Sequence, residues 1–113
     1  MKSWREIKTI EEWRQTLQGS TEHPVIVFKH STTCPVSANA FQEFQEYLQG
    51  QPREDADYVL VKVIESRPVS NQIAEDLAVR HASPQIILVD QKDSVWNATH
   101  WSITVEHISA VLN

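Results

Sequence analysis

The chain has 113 residues, of which 41% are hydrophobic and 22% charged, a composition typical of a water-soluble globule. This length predicts a single domain over residues 1–113 that can bury its own core. With 15 acidic and 10 basic residues, the formal net charge is −5, the wrong sign for binding a phosphate backbone. No apolar run is long enough to cross a membrane, and the N-terminus lacks the apolar segment of a signal peptide. We therefore expect a cytoplasmic protein with neither nucleic acid nor membrane as a partner.

The first predicted elements are a helix, a strand and a second helix. Thr9 and Glu12 have the spacing of a capping box, which predicts a helix that buries Trp13. Val25–Phe28 is a short apolar run rich in β-branched residues, typical of a strand covered on both faces. Pro35 then occupies the first position of the second helix, where its missing N–H costs nothing.

The remaining elements follow from apolar spacing and turn residues. They are a strand at Tyr58–Ile64, a helix from Pro68, a strand at Gln85–Asp90, a hairpin loop at Gln91–Ser94, a strand at Val95–Trp101 and a helix capped by Thr104. The element order is therefore α-β-α-β-α-β-β-α. The first two strands should be parallel across a right-handed crossover, and the last two antiparallel. This predicts an α/β fold with a mixed four-stranded sheet flanked by helices on both faces.

Cys34, the single cysteine, lies at the predicted cap of the second helix, directly after the first strand. Open α/β sheets place their chemistry at this position, and a helix N-terminus favours an anion such as a thiolate. Lys29 and His30 could add positive charge, although strand alternation points only one of them toward the site. A lone cysteine can also be a buried, inert hydrophobe. The combination of strand, turn, capping cysteine and Pro35 favours a reactive thiol, and one cysteine cannot make a zinc site, so no metal is predicted.

The pentapeptide Thr33-Cys34-Pro35-Val36-Ser37, followed later by Ser83-Pro84 before a hairpin strand, resembles the thioredoxin-like superfamily. Within it the chain is similar over essentially its whole length to the bacilliredoxin C (YtxJ-type) family of monothiol bacilliredoxins. The resemblance implies a thioredoxin-like fold and a thiol-disulfide oxidoreductase that removes bacillithiol from S-bacillithiolated cytosolic proteins through a Cys34 mixed disulfide. It also implies bacillithiol as cosubstrate, no tightly bound cofactor, and regeneration by a second bacillithiol or a partner disulfide reductase.

The same resemblance implies roles for residues around Cys34, the catalytic nucleophile. The loop around Cys34 and the turn at Pro84, which matches a cis-proline facing the nucleophile, would form the substrate-docking surface, and the Ser83 backbone would pair with a substrate chain. The substrate-binding residues are Thr33, Pro35, Ser37, Ser83 and Pro84.

Two positions depart from dithiol thioredoxins. Ser37 stands where those proteins carry a second cysteine, and a hydroxyl cannot exchange with a disulfide, so an external thiol must resolve the mixed disulfide. Ser37 could donate a hydrogen bond to the Cys34 thiolate or be an ordinary polar residue of a first helical turn. Phe28 replaces a buried acidic residue six positions before the nucleophile, which fits a mechanism with one cysteine.

Several alternatives remain open at this stage. Arg80 and His81 could contact the carboxylates of a malate-bearing thiol such as bacillithiol, or could complement the dipole at a helix C-terminus. The chain could instead be an iron–sulfur cluster carrier like monothiol glutaredoxins, although Pro35-Val36 replaces the Gly-Phe typical of those proteins. It could also be a non-catalytic thioredoxin-like adaptor in which Cys34 is incidental.

Overall fold

A computed structural model of the chain describes residues 1–113 and shows strands and helices alternating along most of the sequence. The strands are β1 (Arg5–Glu6), β2 (Val25–His30), β3 (Asp57–Lys62), β4 (Gln85–Asp90) and β5 (Asp93–Thr99). The helices are α1 (Ile10–Gly19), α2 (Pro35–Gln49), α3 (Arg67–Leu77) and α4 (Val105–Leu112), with a 3-10 turn at His100–Ser102. No helix among the four combines the length and the apolar character needed for a membrane span.

The five strands form one mixed sheet in the order β1-β3-β2-β4-β5. β3 runs parallel to both β1 and β2, whereas β4 runs antiparallel to β2 and to β5. The α/β class, the parallel pair joined through α2 and the antiparallel hairpin at the end of the sheet are therefore confirmed. β2 lies at the centre, and all six of its residues are buried.

The prediction of four strands and of the order α-β-α-β-α-β-β-α is wrong, because β1 adds a fifth strand before the first helix. Arg5 pairs with Val59 and Glu6 with Leu60 at the edge of the sheet. This two-residue strand is polar and shows no apolar alternation, so only its backbone pairing with the free edge of β3 identifies it.

The boundaries of the last hairpin also differ from the prediction. Its loop is only Gln91–Lys92, both with positive φ (53° and 66°), which suits a two-residue turn between twisted strands. The polar residues after this turn belong to β5, because an edge strand can expose them to water. β5 ends at Thr99, and Trp101 lies in the 3-10 turn with its side chain exposed.

Strand alternation divides the core into two layers, one on each face of the sheet. One cluster packs against α2 and α4 and includes Phe28 and Phe44, whose rings stack with centroids 5.0 Å apart. The other packs against α1 and α3 and includes Trp13 and Val27. The capping box predicted at Thr9 is present and begins α1 as expected.

Replacing Phe44 by Ala should lower the free energy of unfolding by about 3 to 5 kcal/mol, since the ring is fully buried against Phe28. Phe44→Leu fills more of the space and should cost clearly less. Urea denaturation followed by far-UV circular dichroism measures both. Equal losses for the two variants would contradict this packing.

Candidate active site around Cys34

Cys34 is the N-cap residue of α2 and is partly buried. Its backbone is extended (φ −105°, ψ 123°), its N–H donates to the Ser31 carbonyl at 3.3 Å, and its carbonyl accepts from the Ala38 N–H at 3.0 Å. Pro35 follows at the first helical position, as predicted. The Cys34 sulfur makes no capping hydrogen bond, so the helix start leaves it without a polar partner at the positive end of the helix dipole.

Ser37 fastens the loop that carries Cys34 to the end of β2. Its Oγ is fully buried, accepts a hydrogen bond from the Ser31 N–H at 2.9 Å and lies 2.8 Å from Nδ1 of His30. Either group can be the donor in this bond, depending on the tautomer of His30. The Ser37 hydroxyl makes its hydrogen bonds to His30 and Ser31 and none to the Cys34 sulfur, which was one of the two roles that the sequence left open for it.

His30 is buried rather than solvated at the strand end. Its ring packs 4.8 Å from the ring of Phe41, on the face of the sheet covered by α2. Burial lowers the pKa of His30, the charge of Lys62 lowers it further, and the Glu65 carboxylate opposes this. The imidazole therefore stays neutral at pH 7 and shares one hydrogen bond with Ser37.

The Ser83–Pro84 turn lies beyond the same end of the sheet as Cys34, because Gln85 pairs with Lys29 across β4 and β2. The Ser83–Pro84 peptide bond is cis, as the resemblance implied. The Pro84 carbonyl accepts a hydrogen bond from the His100 N–H at 3.1 Å, whereas the Ser83 backbone has no hydrogen-bond partner. The structure thus brings the two predicted segments to the same end of the sheet. One is the loop that carries Cys34, and the other is the turn of Ser83 and Pro84. Thr33 and Pro35 are exposed there.

On the opposite face of β2 lies a buried cation, which the sequence offered only as a possible source of positive charge near Cys34. Lys29 is fully buried; its Nζ donates to the Ser70 carbonyl at 3.0 Å and lies 3.2 Å from Nδ1 of His81. No carboxylate forms an ion pair with it. Burial lowers the pKa of Lys29 to about 8. Lys29 follows Val25 and Val27 at intervals of two residues, so strand alternation places all three side chains on the same face.

His81 is held by Lys29 but keeps an exposed edge. Its pKa is lowered, first by burial and then by the charges of Lys29 and Arg67. Because an ammonium only donates, Nδ1 accepts and the ring proton resides on Nε2. No group of three or more His, Cys, Asp or Glu side chains is arranged to hold a metal ion.

Comparisons with known proteins agree with this geometry. The sequence model of the family described as monothiol bacilliredoxin BrxC matches residues 5–108. A solved structure described as a candidate oxidoreductase with a thioredoxin fold is 32% identical, with a TM-score of 0.80, and the match covers 93% of this chain and 89% of that one. The chain therefore has a thioredoxin fold.

Two solved thioredoxins resemble the chain at low identity and bear on its fold alone. That of Malassezia sympodialis is 15% identical, with a TM-score of 0.77 and coverage of 98% of this chain and 89% of that one. That of Schistosoma mansoni is 16% identical, with a TM-score of 0.74 and coverage of 97% and 95%.

Ser37→Ala should lower the free energy of unfolding by about 1 to 3 kcal/mol, because it leaves the Ser31 N–H and His30 Nδ1 without a partner. Denaturant unfolding at pH 7 measures the loss. Ser102→Ala, at an exposed serine, is the matched control. A Ser37→Ala variant as stable as this control would show that the hydroxyl does not hold the loop.

Lys29→Met should raise the free energy of unfolding at pH 7 by about 2 kcal/mol, because it removes a buried ammonium that no carboxylate balances. The pKa of Lys29 is about 8 in the folded chain and near its ordinary value of 10.5 in the unfolded chain. Between these values only the unfolded chain binds the proton, so wild-type stability rises with pH across this window.

Urea denaturation of both proteins at pH 7 and at pH ~10 tests this dependence of stability on the protonation of Lys29. The advantage of Lys29→Met should be largest at pH 7 and should shrink at the higher pH. Lys8→Met, at an exposed lysine, should leave stability nearly unchanged at both values. A Lys29→Met variant less stable than wild type at pH 7 would contradict the burial cost.

Proposed function

We propose, from the premise that the chain belongs to the BrxC family of monothiol bacilliredoxins, that it removes bacillithiol from S-bacillithiolated cytosolic proteins. Its family and fold are those of a thiol oxidoreductase. The observation that carries the proposal is the placement of the only thiol at the N-cap of α2. It lies at the same end of the sheet as the turn at Pro84, and its sulfur has no hydrogen-bond partner.

The reaction is a thiol-disulfide exchange. The Cys34 thiolate attacks the bacillithiol sulfur of a protein mixed disulfide, a new disulfide forms between Cys34 and bacillithiol, and the protein leaves as a thiolate. A second bacillithiol thiolate then attacks the bacillithiol sulfur on Cys34 and releases the Cys34 thiolate together with bacillithiol disulfide. Electrons balance in each step, because one thiolate is consumed and one released.

Resolution by an external thiol is consistent with the surroundings of Ser37. This residue is a hydroxyl where an internal resolving thiol would have to be, and it is bonded on both sides to His30 and Ser31. In this proposal bacillithiol is the cosubstrate, as the family resemblance implies. A partner disulfide reductase can take its place in the second step, and no tightly bound cofactor is required.

The docking surface consists of the exposed Thr33 and Pro35 on the loop and of the partly buried Ser83 on the turn, which precedes the buried Pro84. The unpaired backbone of Ser83 can accept and donate hydrogen bonds to an extended client segment laid beside Cys34. Ser37 contributes by holding the loop rather than by touching the sulfur.

Intact mass spectrometry tests the proposal. Reduced protein is mixed with a bacillithiolated client, with a glutathionylated client in parallel and Cys34→Ser as control. We expect bacillithiol to appear on the wild type, faster than glutathione, and not on Cys34→Ser. Transfer from neither client would exclude the exchange reaction. The remaining alternatives would then be the iron–sulfur cluster carrier and the non-catalytic adaptor. Visible absorbance after anaerobic purification would indicate the cluster carrier.

A further inference from the structure

A cavity of about 410 Å³ lies between the loop after α3 and the end of β5. Gln85 lines it and directly follows Pro84, so the cavity opens at the same end of the sheet as Cys34. Ala82 and Gln85, which flank the Ser83–Pro84 turn, both line the cavity, so it borders this turn. The function proposed above does not use it.

The polar lining of this cavity is suited to an anion. Arg80 and His81 stand at its edge, Asn97 and Thr99 line the strand side, and none of its lining residues is acidic. This is notable in a chain whose net charge is −5. The cavity therefore places one cation, Arg80, together with hydrogen-bond donors and away from acidic side chains.

The side chain of Gln85 is the second, independent observation. It is 1% exposed, its Nε2 donates to the Arg80 carbonyl at 3.2 Å, and its Oε1 has no hydrogen-bond partner. A buried acceptor without a partner is costly, and a donor on a bound molecule would satisfy it. Gln85 thus offers a hydrogen-bond acceptor, whereas Arg80 and His81 offer donors to an anion.

Lys29 orients the proton of His81 so that the ring can donate a hydrogen bond to an anionic ligand. By donating to Nδ1 it leaves the ring proton on Nε2, at the exposed edge of the imidazole, where it can be donated to a ligand oxygen. Burying an unbalanced ammonium lowers stability, and such costs in folded proteins are found at functional sites more often than elsewhere. Lys29 is a positioning residue in this arrangement.

We propose that this cavity binds the carboxylate-bearing part of the low-molecular-weight thiol carried on Cys34, with Arg80 and His81 holding the carboxylates and Gln85 accepting a hydroxyl or amide proton. This inference rests on the proposed function, because it assigns a binding site to the thiol of that reaction. For bacillithiol the carboxylates are those of its malate group. The cavity then sets the preference for an acidic thiol over a neutral one.

The test compares two mixed disulfides of the same client, one with bacillithiol and one with 2-mercaptoethanol, which is neutral. An Arg80→Ala, His81→Ala double variant should transfer bacillithiol about tenfold more slowly than wild type and transfer the neutral thiol at the wild-type rate. Arg14→Ala, at an exposed arginine of α1, should match wild type for both. Lys29→Met should also lower the ratio of the two rates without slowing transfer of the neutral thiol.

Equal slowing of both thiols, or no slowing of either, would overturn the assignment. A second readout does not depend on exchange: Cys34→Ser protein is titrated with bacillithiol and observed by NMR. Shifts of the His81 ring and the Gln85 side-chain amide support the cavity, even if wild type transfers no bacillithiol and the proposed function fails. If those signals stay in place while wild type transfers bacillithiol, the proposed function stands and the cavity assignment falls.

Discussion

The position of β2 at the centre of the sheet constrains everything else in this structure. It is bonded to β3 on one side and β4 on the other, and both of its faces are covered. Alternate side chains of β2 therefore pack into two separate cores. Phe28 points toward α2, and Val27 points toward α3. Because β2 ends at His30, the loop that follows delivers Cys34 to the sheet edge where β4 begins after Pro84.

The last two residues of β2 serve opposite faces of the site. His30 turns toward α2 and is hydrogen-bonded to Ser37, which ties the loop of Cys34 to the sheet. Lys29 turns toward α3 and donates to His81, at the edge of the cavity beside Gln85. One face thus holds the loop of Cys34, and the other carries the buried ammonium of Lys29 next to His81.

In the proposed exchange, a single thiol and a fully bonded hydroxyl divide the chemistry between the protein and its cosubstrate. Ser37 gives the first turn of α2 its anchor, at a position where a second thiol would allow internal resolution. In that mechanism the mixed disulfide on Cys34 is resolved by a thiol from solution. A site that holds the bound small thiol in a defined place suits such a mechanism, because the attacking thiol needs access to one particular sulfur.

The sequence by itself determined the α/β class, the two pairs of strand directions, the capping box at Thr9 and the place of Cys34 at a helix start. These follow from local signals: apolar spacing, cap residues and Pro35. It did not reveal β1, whose Arg5 and Glu6 have no apolar pattern and are strand only through pairing with β3. The Ser37–His30 bond and the burial of Lys29 beneath His81 were likewise decided by tertiary structure. Hydrogen bonds between side chains depend on which residues the packed sheet and helices bring together, and that proximity is not encoded in local spacing.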